Sequence, residues 1–273
     1  MIAFERLPAL RDVIAQHGLA AKRSLGQHFL LDANLLDRIV RAAGDLAGRN
    51  VVEVGPGPGG LTRALLASAA KTVLAVELDD RAIAALQDLV AAAAGRFTLV
   101  TGNALGRDLA ALVPAPRQVI ANLPYNIGAP LLVGWLRQAA VWERLTLMFQ
   151  LEVAERICAA PATQAYGRLS VLAQWICATD LALRVPPEAF VPPPKVVSAV
   201  VRLTPHAIQP PPALFASMER LTAAAFGQRR KMLRGALKSL GGAALLERAN
   251  IAPDRRAETL EVAEFDRLAR LLG

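Results

Sequence analysis

Apolar positions recur along the chain in two rhythms, and each predicts a different element. Over residues 35–43 (LLDRIVRAA), Leu35, Leu36, Ile39, Val40 and Ala43 fall on one helical face, with Asp32 or Asn34 placed to cap it. The short β-branched run 50–54 then stops at Gly55-Pro56-Gly57-Pro58-Gly59-Gly60, and helical spacing resumes at Leu61, Ala64, Leu65 and Leu66. That pattern predicts strand, tight turn, helix. Further strands are predicted at 72–76, closing on Glu77, and at 97–100, ending at Thr101-Gly102-Asn103. Two more follow at 118–121, ending at Asn122-Leu123-Pro124-Tyr125, and at 145–149, while residues 81–94 predict a helix. Strands alternating with helices imply crossover units and a mainly parallel sheet. Segments 179–185 and 196–203 flank Pro186, Pro187 and Pro192-Pro193-Pro194, and predict a hairpin-like pair that closes the sheet with an antiparallel edge. Residues 214–240 and 258–272 predict amphipathic helices beyond a linker rich in proline (Pro205, Pro210, Pro211, Pro212). The expected architecture is therefore an α/β domain over residues 1–204, with a seven-stranded sheet, and a small all-helical domain over 205–273.

In open sheets of this kind ligands bind beyond the carboxyl ends of the strands. Four successive predicted strands end in glycines or polar residues: the run 55–60, Glu77, Asn103 and Asn122. They offer four adjacent contributions to one crevice.

Composition narrows the function classes. Apolar residues make up 54% and charged residues 20%, which suits a globular protein and not a disordered one. Lys plus Arg number 31 against 23 Asp plus Glu, a net charge of +8 that favours a polyanionic partner such as nucleic acid. Cys158 and Cys177 form no C-x-x-C pair, so neither a disulfide framework nor a thiolate zinc site is expected, and a reducing cytoplasm fits. His17, His28 and His206 are scattered, so no metal site is expected. No apolar run reaches the roughly 18 residues that span a bilayer, and Glu5 and Asp12 near the start argue against a transit peptide.

The turn Gly55-x-Gly57-x-x-Gly60, with Glu77 about 20 residues later, fits a nucleotide-type turn whose acid holds a ribose diol. By itself the turn admits a nicotinamide cofactor or S-adenosylmethionine. A pyrophosphate prefers free backbone N–H groups with no carboxylate nearby. Glu53, two residues before Gly55, suits the cationic sulfonium and amino group of S-adenosylmethionine better.

Asn122-Leu123-Pro124-Tyr125 resembles the signature of enzymes that methylate exocyclic amino groups. Adenine N6 is a poor nucleophile because its lone pair is delocalised into the ring. Two acceptors that hold its N–H groups favour a pyramidal nitrogen with the lone pair aimed at a methyl carbon. The Asn122 side-chain oxygen and the Leu123 carbonyl are the two candidates, Pro124 stiffens the turn between them, and Tyr125 is placed to stack on an extracted base. Phe190, in A-F-V-P-P-P-K-V, is the candidate for the base's second face; the alternative is a core aromatic beside a proline-rich turn.

These motifs come in order with others: Lys22-Arg23-Ser24-Leu25-Gly26-Gln27-His28-Phe29-Leu30, Q-L-E-V-A-E-R-I at 150–157, Y-G-R-L-S-V-L at 166–172 and F-G-Q-R-R-K-M-L-R at 226–234. Together they resemble the KsgA/RsmA family of small-subunit ribosomal RNA adenine dimethyltransferases over nearly the whole chain. The resemblance implies a class I methyltransferase fold and S-adenosylmethionine as cofactor. It implies cofactor contacts from Gln27, His28, Leu30, Gly55, Gly57, Glu77, Leu78, Asn103, Ala104 and Asn122. It also implies a substrate of two adjacent adenines in a hairpin loop near the 3′ end of small-subunit RNA, met on an immature subunit by a monomeric, cytoplasmic enzyme. Two positions depart from the family pattern. Asn103 stands where an Asp usually accepts from the cofactor's adenine amino group, which predicts weaker cofactor binding, and His28 stands where many members have Asn. Arg229, Arg230, Lys231, Arg234 and Lys238 are expected on one helix as a basic stripe for RNA phosphates, with Lys22, Arg23 and Lys195 extending it. Three alternatives stay open: a nicotinamide-dependent dehydrogenase, a methyltransferase-fold assembly factor that works by binding, and a relative acting on large-subunit RNA.

Overall fold

The computed structural model describes residues 7–19, 28–228 and 230–273. Its secondary structure is built around a seven-stranded sheet of order β4-β3-β2-β5-β6-β9-β7. The strands are β2 (Asn50–Val54), β3 (Thr72–Glu77), β4 (Phe97–Thr101), β5 (Arg117–Asn122), β6 (Arg144–Gln150), β7 (Cys177–Val185) and β9 (Ser198–Pro205). Strands β2 to β6 pair in parallel, and β9 runs antiparallel to β6. The antiparallel member lies one place in from the edge, which is β7. Every residue of β2 is buried, the pattern of a central parallel strand covered on both faces. A separate two-stranded pair joins β1 (Phe29–Leu30) to β8 (Phe190–Val191), with Leu30 opposite Phe190.

The flanking helices follow local signals. In α2 (Ala33–Ala42) the Asp32 carboxylate accepts from the N–H groups of Asn34 and Leu35, and Leu35, Leu36 and Ile39 are buried. Gly59, left-handed at φ +89°, stands at the N-cap of α3 (Gly60–Ala67). The helix expected over 81–94 is two short ones, α4 (Asp80–Ala85) and α5 (Gln87–Ala92), divided at Leu86, which is fully buried.

The chain forms two compact units. The first comprises residues 1–134, 140–154 and 181–204; the second comprises 135–139, 155–180 and 205–273. The cut at 204/205 falls at the expected linker, but a linear division omits 155–180 from the helical unit. The reason lies in two buried side chains that tie that stretch to the C-terminal segment, Tyr166 and Trp175, with Ser170 bracing the stretch internally. Tyr166, within Y-G-R-L-S, is fully buried and donates its hydroxyl to the Leu260 carbonyl at 2.9 Å. Ser170 accepts from the Gly167 N–H and donates to the Arg156 carbonyl. Trp175, on α8 (Arg168–Ile176), donates to Asp266 at 2.9 Å. In the same unit the helix expected over 214–240 ends as α9 (Ala213–Gly227), and α10 (Leu233–Ala236) follows after a turn. The second expected helix is α12 (Val262–Leu271).

Candidate active site

The carboxyl ends of β2, β3, β4 and β5 border one cavity of about 190 Å³, all of it within the first unit. Asn122, Gly55, Glu77 and Asn103 line it together, as the strand endings predicted. His28, Leu30, Gly57, Leu78, Ala104, Leu123, Pro124 and Tyr125 line it as well. Gln27, Lys22, Arg23 and Arg229 lie outside the described residues. No group of His, Cys, Asp and Glu suited to a metal occurs among the described residues, and none of their helices is long and apolar enough to cross a membrane.

The glycine turn has a steric reason. Gly57 has φ +55°, and a Cβ there would lie 3.0 Å from the Phe29 ring. A Cβ at Gly60 would lie 2.8 Å from the Leu30 carbonyl oxygen. The backbone of the turn therefore packs directly against β1. Glu77 is held by three backbone donors: Gly57 N–H to Oε2 at 3.1 Å, and Leu78 and Asp79 N–H to Oε1 at 2.7 and 2.9 Å. A carboxylate so fixed keeps lone-pair capacity for a hydroxyl group of a ligand. Leu78, 57% exposed, and Leu105 put apolar surface at the same cavity. Leu105 and Asn126 were missed in the sequence; the one signal for Leu105 was a large apolar residue in a loop two places after Asn103.

Glu53 corrects the charge argument drawn from the turn. It lines the cavity but is only 1% exposed, and Thr62 donates to its Oε2 at 2.7 Å. Burial pushes its pKa up to about 8, the Thr62 bond opposes this, and the nearby Glu77 carboxylate adds to it. Near neutrality Glu53 is mostly a protonated acid in the ligand-free protein, not a standing negative charge.

Asn122 is oriented by the main chain of residue 28. Its Nδ2 donates to the His28 carbonyl at 3.3 Å, which leaves Oδ1 as the free end of the amide among the described residues. The turn after it is closed by N–H groups of Ile127 and Gly128, both donating to the Pro124 carbonyl at 3.1 Å, and not to that of Leu123. Tyr125 is half-buried, and its hydroxyl is 2.7 Å from Ser198 Oγ. Burial raises the phenol's pKa more than the Ser198 bond lowers it. Asn103 differs from expectation in one respect: its Oδ1 already accepts the Leu105 N–H at 2.9 Å, so one of that oxygen's two lone pairs is used within the protein.

Phe190 is a correction. It is 2% exposed, belongs to the core cluster around β2 and α2, and does not line the cavity. The alternative of a core aromatic describes it, because pairing with Leu30 turns its ring inward. From the side of β1 the cavity is lined by His28 and Phe29.

The expected basic stripe is also rearranged. Arg230 and Lys231 lie in the turn between α9 and α10, Arg234 is on α10, and Lys238 opens a 3₁₀ turn, so no single helix carries them. All four are exposed. Lys195 is exposed in the loop after β8, in the other unit.

Known proteins bear on this geometry. The family described as Ribosomal RNA adenine dimethylase matches residues 18–272. A protein of Gluconobacter oxydans (strain 621H), named Ribosomal RNA small subunit methyltransferase A, is 64% identical over 265 residues, 97% of this chain and 88% of that one. One of the same name from Paramagnetospirillum magneticum is 56% identical, over 97% of this chain and 95% of that one. Among solved structures, a dimethyladenosine transferase from Plasmodium falciparum superimposes with TM-score 0.76 at 26% identity, covering 88% of this chain and 96% of that one. The 23S rRNA methyltransferase ErmE superimposes with TM-score 0.66, also at 26% identity, covering 89% and 99%. The sheet is thus that of the class I methyltransferases, which sets the dehydrogenase reading aside. The chain belongs to the ribosomal RNA adenine dimethylase family.

Proposed function

We propose that this protein uses S-adenosylmethionine to dimethylate N6 of two adjacent adenines in a hairpin loop near the 3′ end of small-subunit ribosomal RNA. The observation that carries the reading is Asn122: it ends a strand at the cavity, beside the glycine turn and Glu77, with its amide oxygen unclaimed among the described residues. The cavity's donor set fits the cofactor. A fixed carboxylate suits a ribose diol, and Leu78 and Leu105 suit a purine face. When bound, the cofactor supplies a methyl carbon on a cationic sulfonium, an electrophile that needs no metal.

The protein's part is alignment. The Asn122 oxygen and the Leu123 carbonyl accept the two amine N–H groups, which turns the nitrogen lone pair toward the methyl carbon. Tyr125 stacks on a base taken out of its RNA context. Once alkylated, the nitrogen is acidic enough to lose its proton without a strong general base. Exposed Arg230, Lys231, Arg234 and Lys238 are suited to phosphate contacts in the helical unit, and exposed Lys195 to another in the first unit. Arg230→Ala with Arg234→Ala weakens RNA binding and flattens its salt dependence if so; an unchanged salt slope removes these residues from the footprint.

The choice of the small subunit rests on the relatives at 64% and 56% identity, since dimethyladenosine and large-subunit enzymes share the fold at equal identity. The test is to incubate the protein with labelled S-adenosylmethionine and unmethylated small subunits, at mature and immature stages, and to map the label. Two adjacent dimethyladenines support the reading. Label in large-subunit RNA, or on no RNA, overturns it.

A further inference from the structure

We propose that His28 is a positioning residue of the adenine site, linking the buried Phe190 and the Pro192 carbonyl to Tyr125 while its own carbonyl sets the Asn122 amide. The inference deepens the reading above and rests on it for the identity of the substrate. Four contacts converge on this one residue. Its carbonyl oxygen takes the Nδ2–H of Asn122 at 3.3 Å. A carbonyl only accepts, so this contact fixes the amide with Oδ1 directed elsewhere. The ring Nδ1 lies 2.8 Å from the Pro192 carbonyl, which by the same rule makes Nδ1 the protonated nitrogen. The ring face is 5.6 Å from that of Tyr125, tilted by 31°. The Phe190 ring meets it edge-on at 6.4 Å and 80°.

These contacts form a ladder with a rigid foot. Phe190 is locked in the core, and the β1–β8 pairing sets Phe29 opposite Val191 and Leu30 opposite Phe190. His28 and Pro192 extend that pairing by one step, and their hydrogen bond closes it. Tyr125 is then held at both ends, by His28 at the ring and by Ser198 at the hydroxyl. Such bracing of a stacking side chain lowers the cost of forming the reactive geometry, where misplacement by about 1 Å can cost 100-fold in rate.

Three substitutions separate the parts, and none alters the residue 28 carbonyl. His28→Ala removes latch and ring, His28→Asn keeps a donor for Pro192 without a ring, and His28→Phe keeps a ring without the donor. In single-turnover transfer at saturating cofactor and subunits, His28→Ala is expected to lose about 10- to 100-fold. The Tm is expected to stay near that of the unsubstituted protein, any change in cofactor affinity being removed by saturation, and Asn and Phe each to recover part of the rate. A rate unchanged in His28→Ala at saturating cofactor, or an Asn variant as slow as Ala, overturns the proposal. Crystal structures of the unsubstituted protein and His28→Ala give a readout independent of RNA. A shifted Pro192 carbonyl and Tyr125 ring support the bracing, and superimposable positions refute it. Should the unsubstituted protein label no small-subunit adenine, the substrate reading falls by itself, and the crystallographic comparison still decides the role of His28.

Discussion

At the amino ends of the parallel strands polar side chains meet one another; at the carboxyl ends they meet a cavity. Asn50 opens β2, and its amide is used on the protein at every atom: Nδ2 donates to the carbonyls of Pro114 and Pro116 at 2.9 and 3.3 Å, and Oδ1 accepts from Thr72 at 2.7 Å. Close by, Arg49 bridges Asp45 and Glu143. At the opposite end Asn122 gives one donor to the His28 carbonyl and keeps its oxygen free among the described residues, and Glu77 collects three N–H groups around a cavity. Both ends are equally polar in sequence. What separates structure from chemistry is where the polar atoms are left unclaimed.

The largest effect should come from breaking the site end. Asn122→Ala removes one of two amine acceptors, and transfer to unmethylated small subunits should fall by about 10²–10³-fold, some 3–4 kcal/mol of transition-state stabilisation. Its urea midpoint should scarcely move, because the side chain makes a single long hydrogen bond. A variant that keeps a tenth or more of the rate would show that the open amide at this end is not where the chemistry lies.

The converse substitution is Asn50→Ala. It abandons three hydrogen bonds and leaves the Thr72 hydroxyl and the Pro114 carbonyl to find other partners, while Pro116 keeps the residue 50 N–H, a loss of about 3 kcal/mol in stability. Urea denaturation should register that loss while the rate per folded molecule is unaltered. A selective fall in rate would mean that the two ends of the sheet are not separable.

How far the residues announced this division depends on the kind of signal. The strands that carry the site were legible because β-branched runs stop abruptly at glycine or amide residues, as at Gly55, Asn103 and Asn122. The helix α6 (Gly128–Leu136) was not, since GAPLLVGWL is apolar almost throughout and has no periodicity to read. The β1–β8 pair is two residues long, too short for alternation, yet it decides that Phe190 points into the core. The basic residues 230–238 looked helical because their spacing fits a helix, but α9 stops at Gly227. Charge was the least legible quantity. Nothing in V-V-E-V says that Glu53 is enclosed, and its protonation follows from neighbours brought in by the fold.

Glu53 lies between the two regimes: enclosed like the amino end, yet bordering the cavity. Its folded pKa of about 8 stands above the ordinary value of 4.5. Below 4.5 folded and unfolded chains both hold the proton, and there is no difference between them. From there to about 8 only the unfolded chain releases it, so stability falls as pH rises through that window and levels off above it. Glu53→Gln keeps an acceptor for Thr62 and abolishes the titration. It should stabilise the ligand-free protein by about 4 kcal/mol at pH 8 and by almost nothing at pH 4. Thermal unfolding of both proteins from pH 4 to 9 gives the answer, and parallel curves would mean that the carboxyl is ionised in the fold.

The smallest effect, and the sharpest use of the comparison, concerns Asn103. It is a site-end residue that behaves in part like an amino-end one: one lone pair of its oxygen is taken by the Leu105 N–H, and what remains is a single uncharged lone pair beside an NH2 group. A donor is the wrong partner for the amino group of an adenine ring. Asn103→Asp would hold the Leu105 N–H with one carboxylate oxygen and offer the other as an acceptor, and with a charge. Cofactor binding measured by calorimetry should tighten by about tenfold, roughly 1.4 kcal/mol, with the rate at saturation unchanged. Equal or weaker binding would mean that the adenine amino group finds its acceptor elsewhere in the cavity, and that a claimed oxygen at this end does not weaken the site.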